Sequence, residues 1–317
     1  MKRKLFVEWL SCTAASIAAF TVATGVPFLS PFVVFIAPFP LMVLTRKLGA
    51  RAGALGALFG TAFVFGMAGA AYAFVYACGF GALGAAEGFL LSKFKSGSDY
   101  ILCAVAASIA SKLILMYAFV SASGANPFAL SHDAAQSLIS SFSSLLSQGG
   151  VSLSQDEVGS YADTLIRTVS MMMPSMLILF SAADALLCYA AARLYFKKTP
   201  EVKLPQLPPF ALWRFPQNIF WALLATLVLD VAAKAFPQEA VLKTLSLNLM
   251  EVLRALFLAE GLSLFWYFLR SFGVSRAVRV VLMLLCIFFS PVSYILSMLG
   301  IFDIWYDLRK RIKIRRR

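Results

Sequence analysis

The sequence predicts an all-α fold, a polytopic transmembrane helical bundle with about eight or nine apolar segments. Of its 317 residues, 61% are hydrophobic and 14% are charged, whereas a soluble domain has about 45–50% apolar and about 25% charged residues. Several apolar runs reach the roughly 20 residues that cross a hydrocarbon core of about 30 Å. These runs lack the alternation of apolar and polar residues that barrel strands show. Because a spanning segment must pair its own backbone groups, helices are expected.

The first part of the chain is expected to hold six spans. Their predicted limits are about Trp9–Leu29, Pro31–Thr45, Ala52–Gly69, Ala71–Leu91, Tyr100–Ser121 and Ile166–Ala192. The N-terminal residues resemble a signal peptide. However, Glu8 interrupts the apolar region and the apolar run continues to Leu29. We therefore expect a retained first helix.

A polar stretch, Ala122–Asp163, separates the fifth and sixth predicted spans and contains no Lys or Arg. Within it, apolar residues recur at helical spacing at Leu138, Ile139, Phe142, Leu145 and Leu146. This pattern predicts an external amphipathic segment near 130–148 that lies on the membrane. The pair Ser154 and Glu157 forms a capping-box pattern, which predicts the start of the next helix.

A proline-rich segment marks the expected domain boundary. Five prolines lie between Pro200 and Pro216, and a helix interior does not tolerate them. We therefore expect a six-span unit over 1–199, a cytoplasmic linker over 200–216 and a C-terminal membrane unit with a basic cytoplasmic tail over 217–317. The spans of that last unit are expected at about Ile219–Ala235, Thr244–Leu269 and Val278–Leu299.

The net charge of +13 comes from basic residues that cluster at the ends of spans. This distribution is typical of the positive-inside rule and not of nucleic-acid binding. It predicts a bacterial inner-membrane protein with a cytoplasmic N-terminus. Nine full crossings would place the basic residues of Arg309–Arg317 outside, so either the last segment is a re-entrant hairpin bent at Ser290-Pro291, or one earlier segment does not cross.

Ionisable and polar residues within spans are costly, and each is a functional candidate. The candidate intramembrane polar site consists of Asp184, Asp230, Asn248, Glu251, Arg254 and Glu260. Asn248, Glu251 and Arg254 share one helix face, and the last two can pair directly. The alternative is that such pairs only orient helices. Glu87, Lys112 and Arg167 are expected nearer to an interface, where they can be solvated.

The residues that usually carry enzyme or metal chemistry are sparse. The one histidine, His132, lies in a polar loop, and none of the five cysteines forms a C-x-x-C pair. We therefore expect no metal site, no cofactor and no enzyme activity. Asp303 and Asp307 lie four residues apart, and their neighbours Trp305 and Arg309 predict an interfacial anchor.

Glycines at four-residue spacing occur in the third and fourth spans, at Gly49/Gly53, Gly56/Gly60 and Gly84/Gly88. Such pairs let helix backbones approach closely. They predict tight packing within one subunit or, alternatively, docking against a membrane-protein partner.

Three stretches carry a family resemblance: APFPLMVLTRKLGARAG from Ala37, LPPFALWRFP from Leu207 and GIFDIWYDLRKR from Gly300. They resemble the YybS-like family of predicted bacterial membrane proteins, whose domain has no known function. The family-like positions are Pro38, Pro40, Trp213, Pro216, Gly300, Asp303, Trp305, Asp307 and Arg309.

The first six helices also resemble the S components of energy-coupling-factor vitamin transporters. That resemblance implies a substrate-binding core that docks on its partner through small-residue helices. Two features depart from it, because three segments follow the sixth span and no vitamin-specific motif is present.

These observations predict a transport-related protein of the lipid bilayer, in which an S-component-like core binds a small solute or lipid. The alternative is a non-transporting scaffold that recruits envelope or cytoplasmic proteins through its basic tail. A polar cavity facing the Ala122–Asp163 side would favour transport, and a solid apolar core would favour the scaffold. No sequence motif identifies the ligand, and nucleic acid is not an expected partner.

Overall fold

A computed structural model describes residues 2–26, 28–124, 135–137, 139–141, 143–144, 154–199 and 201–311. The main elements of this part of the chain are α-helices. They are α1 (Lys2–Gly25), α2 (Ser30–Val33), α3 (Phe39–Leu48), α4 (Ala50–Ala68), α5 (Ala70–Tyr76), α6 (Leu83–Lys93), α7 (Gly97–Ser123), α8 (Gln155–Phe196), α9 (Ile219–Ala235), α10 (Ala240–Ser271), α11 (Arg276–Phe288), α12 (Ser290–Tyr306) and α13 (Leu308–Arg311). The predicted all-α helical fold is therefore confirmed.

Six helices of the described residues are long and apolar enough to cross a membrane, and α11 with α12 makes a seventh if the pair is one span. The predicted count of eight or nine segments is not confirmed. The predicted second span is instead two short helices, α2 and α3, separated by turns. Pro31 and Pro40 each lie in the first turn of one of them, where proline is tolerated because that N–H needs no helical partner.

The last apolar segment bends at the predicted place. Helices α11 and α12 meet at an angle of 101°, and Pro291 lies in the first turn of α12. Proline removes a backbone donor and disfavours helical geometry in the residue before it. The sequence thus ends one helix at Phe288 and begins another at Ser290.

The chain divides into two compact units. The N-terminal unit comprises Met1–Ile166 and Met176–Leu207, and the C-terminal unit comprises Arg167–Ser175 and Pro208–Arg317. The division after Leu207 falls inside the predicted linker. Helix α8 contributes residues to both units and begins with the predicted capping box, in which Ser154 and Glu157 satisfy each other's backbone N–H groups.

In the N-terminal unit, glycines set the distance between helices. A Cβ at Gly84 would collide with the carbonyl oxygen of Pro38, and one at Gly88 would lie 2.5 Å from the carbonyl oxygen of Met42. Helix α6 therefore packs directly on the backbone of α3. On α4, Gly60 faces the Tyr76 ring. These glycines serve packing within the unit, and docking of a separate partner stays a prediction.

The end of the N-terminal unit is an extended segment held by hydrogen bonds. The Tyr189 hydroxyl donates to the carbonyl of Pro205 at 2.5 Å and accepts from the N–H of Leu207 at 3.3 Å. The N–H of Gly97 donates to the carbonyl of Gln206 at 3.1 Å. The first part of the predicted linker is therefore a fixed strand-like segment of this unit.

In the C-terminal unit, α10 packs against α9 and α12. A Cβ at Gly261 would collide with the carbonyl oxygen of Leu296, and one at Gly300 with that of Phe257. The two backbones touch at this crossing because neither glycine has a side chain.

Two sequence-based predictions fall mainly outside the described residues. The amphipathic segment near 130–148 is described only at 135–137, 139–141 and 143–144, which are helical. His132 and the tail beyond Arg311 are not described.

Candidate functional site

A cavity of about 450 Å³ lies within the N-terminal unit. Its apolar lining residues are Pro31, Val34, Phe35, Pro38, Val75, Phe80, Leu83, Leu115 and Phe180. Among the described residues, its polar side chains are those of Ser111, Lys112 and Asp184. Small-molecule sites commonly combine apolar walls of this volume with a few polar groups.

A helix irregularity forms one side of the cavity. Between α5 and α6, Ala77–Ala82 takes the wider π-helical geometry, which often occurs at functional positions. The Ser111 hydroxyl of α7 donates to the carbonyl oxygen of Cys78 at 2.8 Å. This bond occupies the Ser111 donor, so the ion pair is the main polar feature of the wall.

The ion pair joins Lys112 of α7 to Asp184 of α8 through the Lys112 ammonium and the Asp184 Oδ2 atom. The Ser108 hydroxyl donates to the same oxygen at 2.8 Å, and Lys112 also donates to the Ser108 oxygen at 2.6 Å. The Asp184 side chain is 7% exposed and that of Lys112 is 27% exposed. Because both hydrogen bonds of Asp184 reach Oδ2 in the described part of the chain, Oδ1 can accept from a ligand.

A second carboxyl group, Glu87 of α6, lies close to this pair. It is fully buried, and no N–H or O–H group of the described residues donates to either of its oxygens, which leaves the Cys188 thiol as its hydrogen-bonding neighbour. Asp184, Lys112 and the Cys188 thiol are its electrostatic neighbours. The Tyr100 hydroxyl, which also interacts with Glu87 electrostatically, is buried without a hydrogen-bond partner among the residues that the structure describes. Two carboxyl groups and one ammonium group therefore share this region.

The expectation that Glu87 and Lys112 are solvated at an interface is wrong. Glu87 is 0% exposed, and Lys112, although its side chain is 27% exposed, pairs with Asp184 instead of only with solvent. The sequence contains a weak indication of this arrangement. Ser108 and Lys112 are four residues apart on one face of α7, a spacing that brings polar side chains together.

The predicted polar residues are divided between the two units. Asp184 belongs to the N-terminal unit, whereas Asp230, Asn248, Glu251, Arg254 and Glu260 belong to the C-terminal unit. Asp230 is bound by Lys234 at 2.7 Å and by Ser246 at 3.3 Å, near the end of α9. Asp230 therefore pairs with a residue of its own helix, α9, and with one of α10.

Asn248 inserts into helix α8 beside Pro174. The N–H of Ser175 donates to Asn248 Oδ1 at 2.7 Å, and Asn248 Nδ2 donates to the carbonyl of Met171 at 2.7 Å. In an uninterrupted helix, Ser175 would donate to Met171 directly. The side-chain amide thus replaces one backbone hydrogen bond with two, next to a proline that already lacks an N–H.

Glu251 and Arg254 form the direct pair that their spacing predicts. Arg254 Nε and Nη2 donate to Glu251 Oε2 at 3.0 and 2.6 Å. The guanidinium also lies 5.2 Å from the centre of the Tyr294 ring. The pair is partly exposed and connects α10 to α12.

Glu260 is the centre of a separate charge network. Its Oε2 accepts from the N–H of Phe215 at 2.8 Å, and its Oε1 accepts from Arg309 at 3.3 Å. Arg309 also donates to Asp303 at 2.9 Å and to the carbonyl of Ala211 at 2.6 Å. Asp303 in turn accepts from the N–H of Leu308 at 2.9 Å. The buried polar groups of this network are well satisfied, as a structural role requires.

The interfacial-anchor prediction is wrong for Asp303 and Arg309, because these residues are 1% and 9% exposed. Trp305 is exposed, and its ring contacts the Phe220 ring edge to face with centroids 4.9 Å apart. Asp307 contacts both Arg214 and Lys310. The hydrogen bond from Arg214 is the main cause that holds the pKa of Asp307 below its ordinary value.

Two of the family-like positions, Asp303 and Arg309, contact each other in the C-terminal unit. In the C-terminal unit, Trp213 donates to the carbonyl of Pro208 at 2.9 Å, and Gly300 lies against α10. Residues 14–304 match the family model described as "Predicted membrane protein (DUF2232)". The chain belongs to the DUF2232 family. As a DUF2232 protein with several long apolar helices, it is a multi-pass membrane protein.

No curated protein and no solved structure matches this DUF2232 chain. The family description supplies a membrane location and no ligand or reaction.

Proposed function

We propose that the N-terminal unit binds a small, largely apolar solute in its cavity, and that the protein takes part in membrane transport of that solute. The observation that carries this proposal is the cavity of about 450 Å³ with the Lys112–Asp184 pair in its wall. Ionisable groups within membrane helices commonly mark ligand or ion pathways, because their burial is costly. A core with only a structural role does not need an ion pair, because well-packed apolar side chains in its place are often equally or more stabilising.

The shape of the cavity supports a specific kind of ligand contact. Phe35, Phe80 and Phe180 provide flat apolar walls, while Asp184 and Lys112 provide one acceptor and one donor group. Such a wall fits an apolar body with a single polar head group. The resemblance of the first six predicted spans to transporter S components, which rests on the sequence, agrees with this proposal, which does not depend on it.

The test is native mass spectrometry of the full-length protein, extracted from membranes in mild detergent. We expect a retained small molecule in the wild-type protein. Leu115→Trp should fill the cavity and abolish retention, because Leu115 lines it. Leu113→Trp on the same helix is the matched control, since Leu113 is 47% exposed.

Two outcomes would contradict the proposal. One is a wild-type protein that retains no small molecule from its native membrane. The other is equal retention by Leu115→Trp and Leu113→Trp, which would locate the molecule outside the cavity. Co-purification of a stoichiometric protein that survives Leu115→Trp, without any small molecule, would favour the scaffold function instead.

A further inference from the structure

The charges around the cavity do not balance when every group is ionised. Glu87 and Asp184 would carry two negative charges, and Lys112 carries one positive charge that is already hydrogen-bonded to Asp184. A buried carboxylate with neither a cation nor a hydrogen-bond donor has a very high free energy. In the absence of a ligand, Glu87 is therefore most stable as a neutral, protonated carboxyl group.

Among the described residues, the cation that acts electrostatically on Glu87 is Lys112. Helix α7 presents Lys112 and Tyr100, and helix α8 presents Asp184 and Cys188. Helix α3 packs on the glycine face of α6, where a Cβ would meet backbone carbonyls and Thr45. The only charged residue of α4 is Arg51, in its first turn. Lys112 is thus the ammonium group that acts on both carboxyl groups.

We infer that the cavity takes a monovalent organic cation with an apolar body, and that binding of this cation is coupled to release of the proton carried by Glu87. This inference rests on the proposed function and specifies its ligand class. The ligand cation pairs with Asp184, whose Oδ1 is free to accept. Lys112 then turns from Asp184 to Glu87, and the O–H bond of the Glu87 carboxyl group breaks to release a proton to water.

The exchange leaves the net charge of these groups and the ligand at zero. Before binding, the Lys112–Asp184 pair and neutral Glu87 sum to zero. After binding, two carboxylates face Lys112 and the ligand cation, and the sum is again zero. No electron transfer and no further reactant are needed. A neutral or anionic ligand gains nothing from release of the proton, so the mechanism predicts preferential binding of cations.

The experiment uses isothermal titration calorimetry on the purified full-length protein. The probes are phenethylammonium, its neutral analogue phenethyl alcohol and the anion hydrocinnamate. We expect phenethylammonium to bind at least about tenfold more tightly than either analogue. In buffers with different ionisation enthalpies, binding should release one proton, and the affinity should rise about tenfold per pH unit near neutral pH.

Two variants test which group releases the proton and which group binds the cation, and a third variant is the control. Glu87→Gln mimics the neutral acid, so it should keep the thermal unfolding temperature but lose proton release and the pH dependence. Asp184→Asn should lose binding of the cation. Asp99→Asn, an exposed acid-to-amide change on α7, should behave as the wild type does.

The outcomes separate this inference from the proposed function. Equal affinities for phenethylammonium and phenethyl alcohol, or cation binding without proton release, would overturn the inference and leave solute binding intact. Full proton release in Glu87→Gln would show that the proton has another source and would equally overturn it. A clear loss of thermal stability in Glu87→Gln would mean that the carboxyl group is ionised in the empty protein, contrary to the inference. Binding of none of the probes, together with no retained native ligand, would overturn both.

Discussion

At the scale of single residues, hydrogen bonding distinguishes the buried charged groups that serve packing from the buried carboxyl group of Glu87. Arg309, Asp303 and Glu260 form several hydrogen bonds with one another and with backbone groups. Glu87 is equally buried, but no N–H or O–H group in the described part of the chain donates to it, and only the Cys188 thiol is a hydrogen-bonding neighbour. Full satisfaction is what a structural network needs. The unsatisfied carboxyl group is therefore the stronger functional candidate.

The Arg309 network predicts a sharp contrast between two neighbouring residues. Arg309→Gln removes the cation between two fully buried carboxylates and should lower the free energy of unfolding by about 3–5 kcal/mol. Lys310→Gln removes an ammonium group that is 83% exposed and should have no measurable effect. Chemical unfolding in detergent tests both variants. Equal behaviour of the two would contradict a structural role for Arg309.

The two hydrogen bonds between Asn248 and the backbone of helix α8 can be tested with a double-mutant cycle. Asn248→Ala leaves the Ser175 N–H and the Met171 carbonyl without side-chain partners, at a cost of about 1–3 kcal/mol. In a Pro174→Ala background the helix can close by itself, so the same change should cost clearly less. Unfolding curves of the four proteins give the coupling. Equal costs in both backgrounds would mean that Asn248 does not compensate for the proline.

At the scale of helices, the apolar pattern predicts where helices run but not where they break. The limits of α9 coincide with the predicted span Ile219–Ala235. In contrast, the predicted second span contains two short helices, and Pro38 and Pro40 lie where the second of them begins. The interfacial interpretation of Asp303 and Arg309 failed for another reason. Partners 49 and 98 residues away, Glu260 and Ala211, determine the burial of Arg309, and no local pattern contains that information.

The crossing of α10 and α12 gives a prediction that depends only on backbone distance. Gly261→Ala and Gly300→Ala should each lower the free energy of unfolding by about 1–3 kcal/mol, because the added methyl group meets a carbonyl oxygen. Gly66→Ala in α4 is the control, since a Cβ there meets nothing within 4 Å. That change should stabilise the protein by roughly 0.5–1 kcal/mol. A neutral Gly300→Ala variant would show that the two helices are less tightly packed.

At the scale of the whole molecule, the distribution of basic residues defines an expected topology. Lys and Arg occur at Arg46, Lys93 and Arg193, at the ends of α3, α6 and α8. The stretch Ala122–Asp163 has none. The bend between α11 and α12 allows both termini to lie on the cytoplasmic side if this pair re-enters. The positions of Lys and Arg along the sequence predict this topology, whereas the path of each helix through the bilayer depends on tertiary contacts.

Cysteine labelling tests this orientation in intact cells. In a cysteine-free background, cysteines at Ser143 and Gly149 should react with an impermeant thiol reagent from outside. A cysteine at Lys203 should react only after lysis, because basic segments are retained inside. A reporter fused after Arg317 should be active if it folds in the cytoplasm. Labelling at Lys203 in intact cells, or activity of an export-dependent reporter, would contradict the expected orientation.

The contact between Glu260 and Arg309 also has a consequence for biosynthesis. The two residues are 49 positions apart, so a ribosome working at about 5–20 residues per second needs roughly 2–10 s to supply the cation after the acid. During that interval α10 carries an acid that has no arginine partner from the chain end. Nonsense mutations between the two codons would leave this acid permanently unmatched, and membrane proteases should recognise such truncated chains. The arginine thus makes survival of the protein in the cell dependent on completed translation through position 309.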